Sequence, residues 1–189
     1  MTLSTWQETL VTSQVDSTAL TNTVTATSII PAAARFTLPS SFFAVGKKLR
    51  LTAQGRISTV VTTPGTLTFS VRIGTGPVIC ATSDALTLNI VAKTNAAWDL
   101  EWILTCRAIG GGTSANLMHN GTWKSEAVIG SPLVTVGGVG VLPLVAAAPA
   151  VGTGFDSTAV QIVDLFGTWS VANAANSILT HQYDLVSLN

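Results

Sequence analysis

The stretch Trp98-Asp99-Leu100-Glu101-Trp102-Ile103-Leu104-Thr105-Cys106-Arg107 decides the fold. Trp98, Leu100, Trp102, Leu104 and Cys106 share one parity, while Asp99, Glu101, Thr105 and Arg107 take the other. Successive side chains of a β-strand point to opposite faces, so this period of two predicts a strand with one buried and one wet face. The same alternation fills 48–57, where Leu49, Leu51, Ala53 and Ile57 oppose Lys48, Arg50, Gln54 and Arg56. It returns in 66–73, where Leu67, Phe69, Val71 and Ile73 oppose Thr66, Thr68, Ser70 and Arg72. In 163–171, Val163, Leu165, Trp169 and Val171 oppose Asp164, Thr168 and Ser170. Shorter strands are predicted over 18–25, 34–38, 78–82, 85–91, 115–119, 122–128 and 177–188. Turn chemistry separates these runs, as at Thr63-Pro64-Gly65, Gly110-Gly111-Gly112 and Gly152-Thr153-Gly154. No run of a dozen residues carries helical periodicity. Strands at this spacing predict an all-β domain, a sandwich or a barrel.

Composition narrows the function classes. The 189 residues carry 9 Lys+Arg against 9 Asp+Glu, a charged fraction of 10%, where ordinary domains hold about 25%. An apolar fraction of 47% argues against disorder. Lys47, Lys48 and Arg50 are the nearest approach to a basic cluster, so phosphate-driven binding of nucleic acid is not expected. A mean hydropathy of +0.50 leaves more apolar surface than one small domain can hide. Ile103 and Val128 even place aliphatic groups on the nominally polar side of their strands. The expectation is an oligomer whose copies cover one another.

Motifs for chemistry are missing. His119 and His181 belong to no zinc-ligand spacing, and the glycine clusters match neither a dinucleotide fingerprint nor a phosphate loop. His181 and Asp184, three apart on a strand, are predicted to face opposite ways. Asp99 and Glu101 could imitate a glycosidase carboxylate pair, but Lys93 and Arg107 nearby favour a solvated or salt-bridged face. The chain is read as a non-enzyme with no cofactor and no metal. The echo of Asp16-Ser17-Thr18-Ala19 in Asp156-Ser157-Thr158-Ala159 is read as chance or as two similar strand starts.

Of two cysteines, Cys80 and Cys106 each lie in an apolar run and read as buried small hydrophobes, with a cross-strand disulfide as the alternative. Trp98, Trp102, Trp123 and Trp169 are candidates for the core or a trimer interface. Residues 1–15 show little alternation and are set apart from a domain at 16–189, as a frayed end or as an arm anchored by Trp6. Met1–Leu10 lacks the basic and apolar regions of a signal peptide. The uncharged, apolar stretch 133–151 would attract a hydropathy scan, but its glycines and prolines fit a helix poorly, so no membrane span is expected.

The chain resembles the jelly-roll structural proteins of tailed bacteriophages over roughly residues 5–189. The resemblance lies in Phe36-Thr37-Leu38-Pro39, Gly46-Lys47-Lys48-Leu49-Arg50-Leu51-Thr52-Ala53, Gly55-Arg56-Ile57-Ser58 and Gly65-Thr66-Leu67-Thr68-Phe69-Ser70-Val71-Arg72. It continues through Trp98–Arg107, Leu165-Phe166-Gly167-Thr168-Trp169-Ser170, Asn176-Ser177-Ile178 and the run from His181 to Asn189. It implies a single jelly roll like that of tumour necrosis factor, trimerising about a three-fold axis. It also implies synthesis in the bacterial cytoplasm and a place on the virion surface, as a decoration or cement protein on the major capsid protein. Trp6 and Glu8 are then the candidate capsid contacts. Similar domains cap tail fibres, so a receptor-binding domain that recognises glycan, through exposed aromatics or loops around 110–115 or 137–155, is the alternative.

Overall fold

In the computed structural model, described over residues 7–74, 78–128, 140–145, 150–152 and 154–188, the chain is a sandwich of two antiparallel sheets. The strands before the first long one are β1 (Gln7–Thr12), β2 (Leu20–Thr21), β3 (Thr27–Ser28) and β4 (Phe36–Leu38). Next come β5 (Lys48–Thr59), β6 (Thr66–Ile73), β7 (Val78–Thr82), β8 (Leu86–Thr87), β9 (Lys93–Ala108) and β10 (Asn116–Ser125). The last are β11 (Gly140–Pro143), β12 (Ala150–Val151), β13 (Gln161–Trp169) and β14 (Ser177–Leu188). The larger sheet is ordered β1-β14-β5-β9-β10-β11, with β2 on β14 and β12 on β10. The smaller is ordered β3-β13-β6-β7, with β4 on β13 and β8 on β6.

The path between the layers identifies the topology. From β1 the chain crosses to β3 and β4, returns to β5, and crosses again for the adjacent pair β6 and β7. It then builds β9 in the larger sheet, crosses to β13 and comes back to β14. That alternation is the jelly-roll winding, here with the hairpin strand β10 and its partners β11 and β12 added on one edge.

Alternation becomes burial. Leu49, Leu51, Ala53 and Ile57 of β5 face inward, as do Trp98, Leu100, Trp102, Leu104 and Cys106 of β9. They meet Leu67, Phe69, Val71 and Ile73 of β6 and Val163, Leu165 and Trp169 of β13 in one core. Phe69 lies between two indoles, with ring centroids 6.0 Å from Trp98 and 5.6 Å from Trp123. Cys80 and Cys106 are both buried and both free. Burial raises the pKa of each thiol, which leaves both in the unreactive protonated form.

Several expectations need correction. Residues 115–119 and 122–128 do not form two strands, because β10 runs unbroken through Asn120-Gly121. Gly121 serves there as a space rather than a turn: a Cβ would overlap the Glu101 carbonyl oxygen and the Leu144 side chain. A strand also forms inside the expected arm, since Gln7–Thr12 pairs with β14 from Gln7↔Leu188 to Thr12↔Asp184. Val128 is fully buried and bridges to Leu88, so it contributes no exposed apolar surface. Much of 133–151 lies outside the described residues, but 140–143 is strand β11, and no helix among the described residues is long and apolar enough to cross a membrane.

The repeated Asp-Ser-Thr-Ala motif has a shared structural use. The Ser17 amide donates to the Thr180 carbonyl at 2.9 Å, and the Thr180 amide donates back to the Ser17 hydroxyl at 2.9 Å. The Ser157 amide donates to the Gly110 carbonyl at 2.9 Å, and the Gly110 amide donates to the Ser157 hydroxyl at 2.9 Å. In both copies a buried serine hydroxyl accepts the bond that its own carbonyl would take in a regular ladder.

Candidate functional site

The outer face of the larger sheet is built from the polar parity of its strands. β5 contributes Arg50, Thr52, Gln54 and Arg56, β9 contributes Ala97, Asp99 and Glu101, and β10 contributes Thr122 and Lys124. Register sets Gln54 and Lys124 on either side of Asp99. The Gln54 amide donates to one Asp99 oxygen at 3.4 Å.

A β-bulge gives this face its relief. Between Thr180 and Gln182 the register of β14 slips against β5, which makes His181 an extra residue. The slip also sets Gly55 under β14, where a Cβ would overlap the Leu179 carbonyl oxygen. The result is a cleft of about 770 Å³ lined by Gln54, Gly55, Arg56, Asn95, Ala97, Trp98, Asp99, Lys124, His181 and Gln182. His181 Nδ1 lies 2.9 Å from Asp16 Oδ1. The bulge makes simple strand parity inapplicable at His181, and its carboxylate partner is Asp16 rather than Asp184. The carboxylates Asp99 and Glu101 do share the outer face, while Lys93 turns to Glu126, 2.8 Å away.

The smaller sheet hides one charge on its outer face. Asp164 accepts from Ser28 Oγ at 2.6 Å and pairs with Arg35 at 2.9 Å. Burial raises its pKa, although Ser28, Arg35 and Arg72 pull the other way. The Arg72 guanidinium stacks 4.1 Å from the centroid of Phe166. These contacts make the Asp164 cluster a self-satisfied brace between β13 and the 28–35 segment.

The aromatic candidates point inward. Trp98, Trp102, Trp123 and Trp169 are all buried within the one chain. Trp98 Nε1 donates to the Leu179 carbonyl and Trp169 Nε1 to the Leu20 carbonyl, each at 3.2 Å. Trp102 Nε1 donates to His119 Nδ1 at 3.3 Å. Glu8 is exposed on the edge strand β1, and Trp6 lies outside the described residues. Among the described residues no group of three or more His, Cys, Asp or Glu side chains could hold a metal ion.

The Trp102–His119 bond fixes a protonation state. Indole only donates, so Nδ1 must be bare and the ring neutral. Burial lowers the His119 pKa in agreement. The unfolded chain therefore takes up a proton near the ordinary value of about 6.5, where the folded chain still refuses it. Stability is full above that pH and is lost as pH falls, at about 1.4 kcal/mol per pH unit, until the lower folded pKa is reached. Urea midpoints measured from pH 7.5 down to pH 5 should show this slope. His119→Gln, which keeps a neutral acceptor, should flatten it; an unchanged slope would assign the effect to other groups.

No family model matches the chain, and no curated protein matches it. Among solved structures, the chain is similar to the CBM2 module of the evolved Dit of Lactobacillus casei BL23 phage J-1. That match has a TM-score of 0.38 and 9% identity, over 99% of this chain and 98% of that one. An endo-1,3-beta-glucanase from Streptomyces sioyaensis matches with a TM-score of 0.29 and 9% identity, over 83% of this chain and 70% of that one. Likenesses this distant carry no functional argument, so the reading rests on the chain's own residues.

The polar groups of the cleft spread over four strands of an open sheet, and the histidines are engaged with Asp16 and Trp102. Sequence reasoning missed the cleft because its lining comes from segments far apart in the chain and its depth comes from a bulge.

Proposed function

We propose that the chain is a structural component of a bacteriophage virion, a homotrimer that decorates the capsid by binding the lattice of the major capsid protein. The observation that carries this reading is the apolar surface left by a closed core. With Trp98, Trp102, Trp123 and Trp169 consumed inside, Val45, Val61, Ile90 and Val160 still stand more than half exposed on a chain with few charges. Val61, Ile90 and Val91 gather at one end of the sandwich, where the Thr62 amide donates to the Ile90 carbonyl at 2.8 Å. Aliphatic surface of this kind suits burial in a permanent assembly. The mechanism is area burial and avidity: identical footprints engage neighbouring lattice subunits together, so each contact can be weak. Glu8 on β1 and the adjoining Trp6 are the proposed capsid contacts.

Light scattering on the purified protein should give three times the chain mass, and a stable single chain would overturn the trimer. In virions, the protein should be present at a fixed ratio to the major capsid protein, in hundreds of copies. A handful of copies would move it to a tail fibre or baseplate as a receptor-binding domain, and its absence from virions would overturn the reading. Removal of residues 1–6, which leaves β1 intact, should lower capsid occupancy without dissolving the trimer.

A further inference from the structure

We propose that the cleft on the outer face of the larger sheet binds a neutral saccharide. The reading does not depend on where in a virion the chain sits. The size suits a small ligand, since such sites run about 300–1,000 Å³ and this one is about 770 Å³. Ala97, exposed in the lining, offers only a methyl group among the longer polar side chains of Gln54, Arg56, Asp99, Lys124 and Gln182, and is taken as the floor. An apolar floor within a polar rim matches a pyranose ring, which offers C–H groups on its face and hydroxyls around its edge.

The charges select among polar ligands. Arg56 and Lys124 stand against a cation, and Asp99, opposite Lys124 in the register, stands against an anion. Hydroxyl groups satisfy both, because each donates to a carboxylate and accepts from a guanidinium or ammonium. The Gln54 and Gln182 amides can do either. One Asp99 oxygen accepts from Gln54, and the other has no partner among the described residues. Hydrogen bonds to a charged acceptor are the stronger kind, so Asp99 is the residue on which affinity should turn. Among the described residues no Phe, Tyr or Trp side chain offers a face to the cleft, since Trp98 is only 2% exposed. Affinity should therefore be weak for one site, and three copies in a trimer would supply avidity.

The test is saturation-transfer NMR on the full chain with glucose, galactose, mannose, rhamnose, N-acetylglucosamine, lactose and maltose. Sulfate and arginine displacement serve as charged controls. At least one sugar should receive saturation and resist displacement by either charged probe. Asp99→Ala should weaken that sugar at least about tenfold, and Ala97→Leu, which fills the floor, should abolish binding. Both positions face solvent, so an unchanged melting temperature verifies the fold of each variant. Saturation of none of these sugars, or binding that survives both substitutions, would overturn the proposal.

Discussion

Trp102→Ala is expected to lower the unfolding free energy by about 3–5 kcal/mol, the cost of truncating a fully buried large aromatic. Trp102 has no exposed surface and lies at the middle of the larger sheet, opposite Leu51 on β5 and Gly121 on β10. Two costs combine. The cavity sits between strands that Gly121 already holds close, so the walls have little room to collapse. The indole also satisfies His119 Nδ1 inside the core, and its loss strands that acceptor. Trp102→Phe separates the two, keeping most of the ring while removing the bond, and should cost about 1–3 kcal/mol. Adding His119→Leu to Trp102→Phe should recover part of that loss. Urea unfolding followed by circular dichroism measures these three variants, His119→Leu alone and the unsubstituted chain. Equal costs for Trp102→Phe with and without His119 would mean the bond contributes nothing.

Gly55→Ala should be among the most damaging single-methyl changes, at roughly 2–4 kcal/mol. Its Cβ would overlap the Leu179 carbonyl oxygen and come within 3.0 Å of the Thr180 Cα. Both are backbone atoms of the bulge and have no rotamer by which to escape. Gly46→Ala is the matched control: Gly46 has φ +91 with nothing within 4 Å of its added Cβ, so only backbone strain of about 1–2 kcal/mol should appear. If Gly55→Ala proved as mild as Gly46→Ala, β14 would be shown to slide freely over β5.

The long strands were legible because one buried face and one wet face write an alternation into the sequence. β5, β6 and β9 carry it clearly, and their predicted inward residues are buried. The edge strand β1 was invisible for the same reason inverted. Its residues are exposed or half-buried throughout, so burial imposes no period on Gln7–Thr12. Gly121 misled because a glycine spared for close approach looks, in sequence, like a glycine spared for a turn. Asp164 was placed outward correctly, but its burial depends on Ser28 and Arg35, more than a hundred residues away. The cleft was illegible altogether, since a one-residue slip at His181 has no local signature and its partner Asp16 is 165 residues distant.

The order of the strands has a temporal consequence. β13 lies in the interior of the smaller sheet and β14 in the interior of the larger, yet they are the last two elements of the domain in sequence. While a ribosome is still making residue 160, β1 lacks its partner β14, and β4 lacks its partner β13. Each sheet then exists only as fragments with open edges, and the inward faces of β5 and β6 have no completed layer to close on. Such a chain must wait with apolar faces exposed until β13 and β14 slide between neighbours made long before. Folding is therefore a single late event rather than a progressive one, and a polypeptide interrupted before residue 177 leaves no stable smaller product.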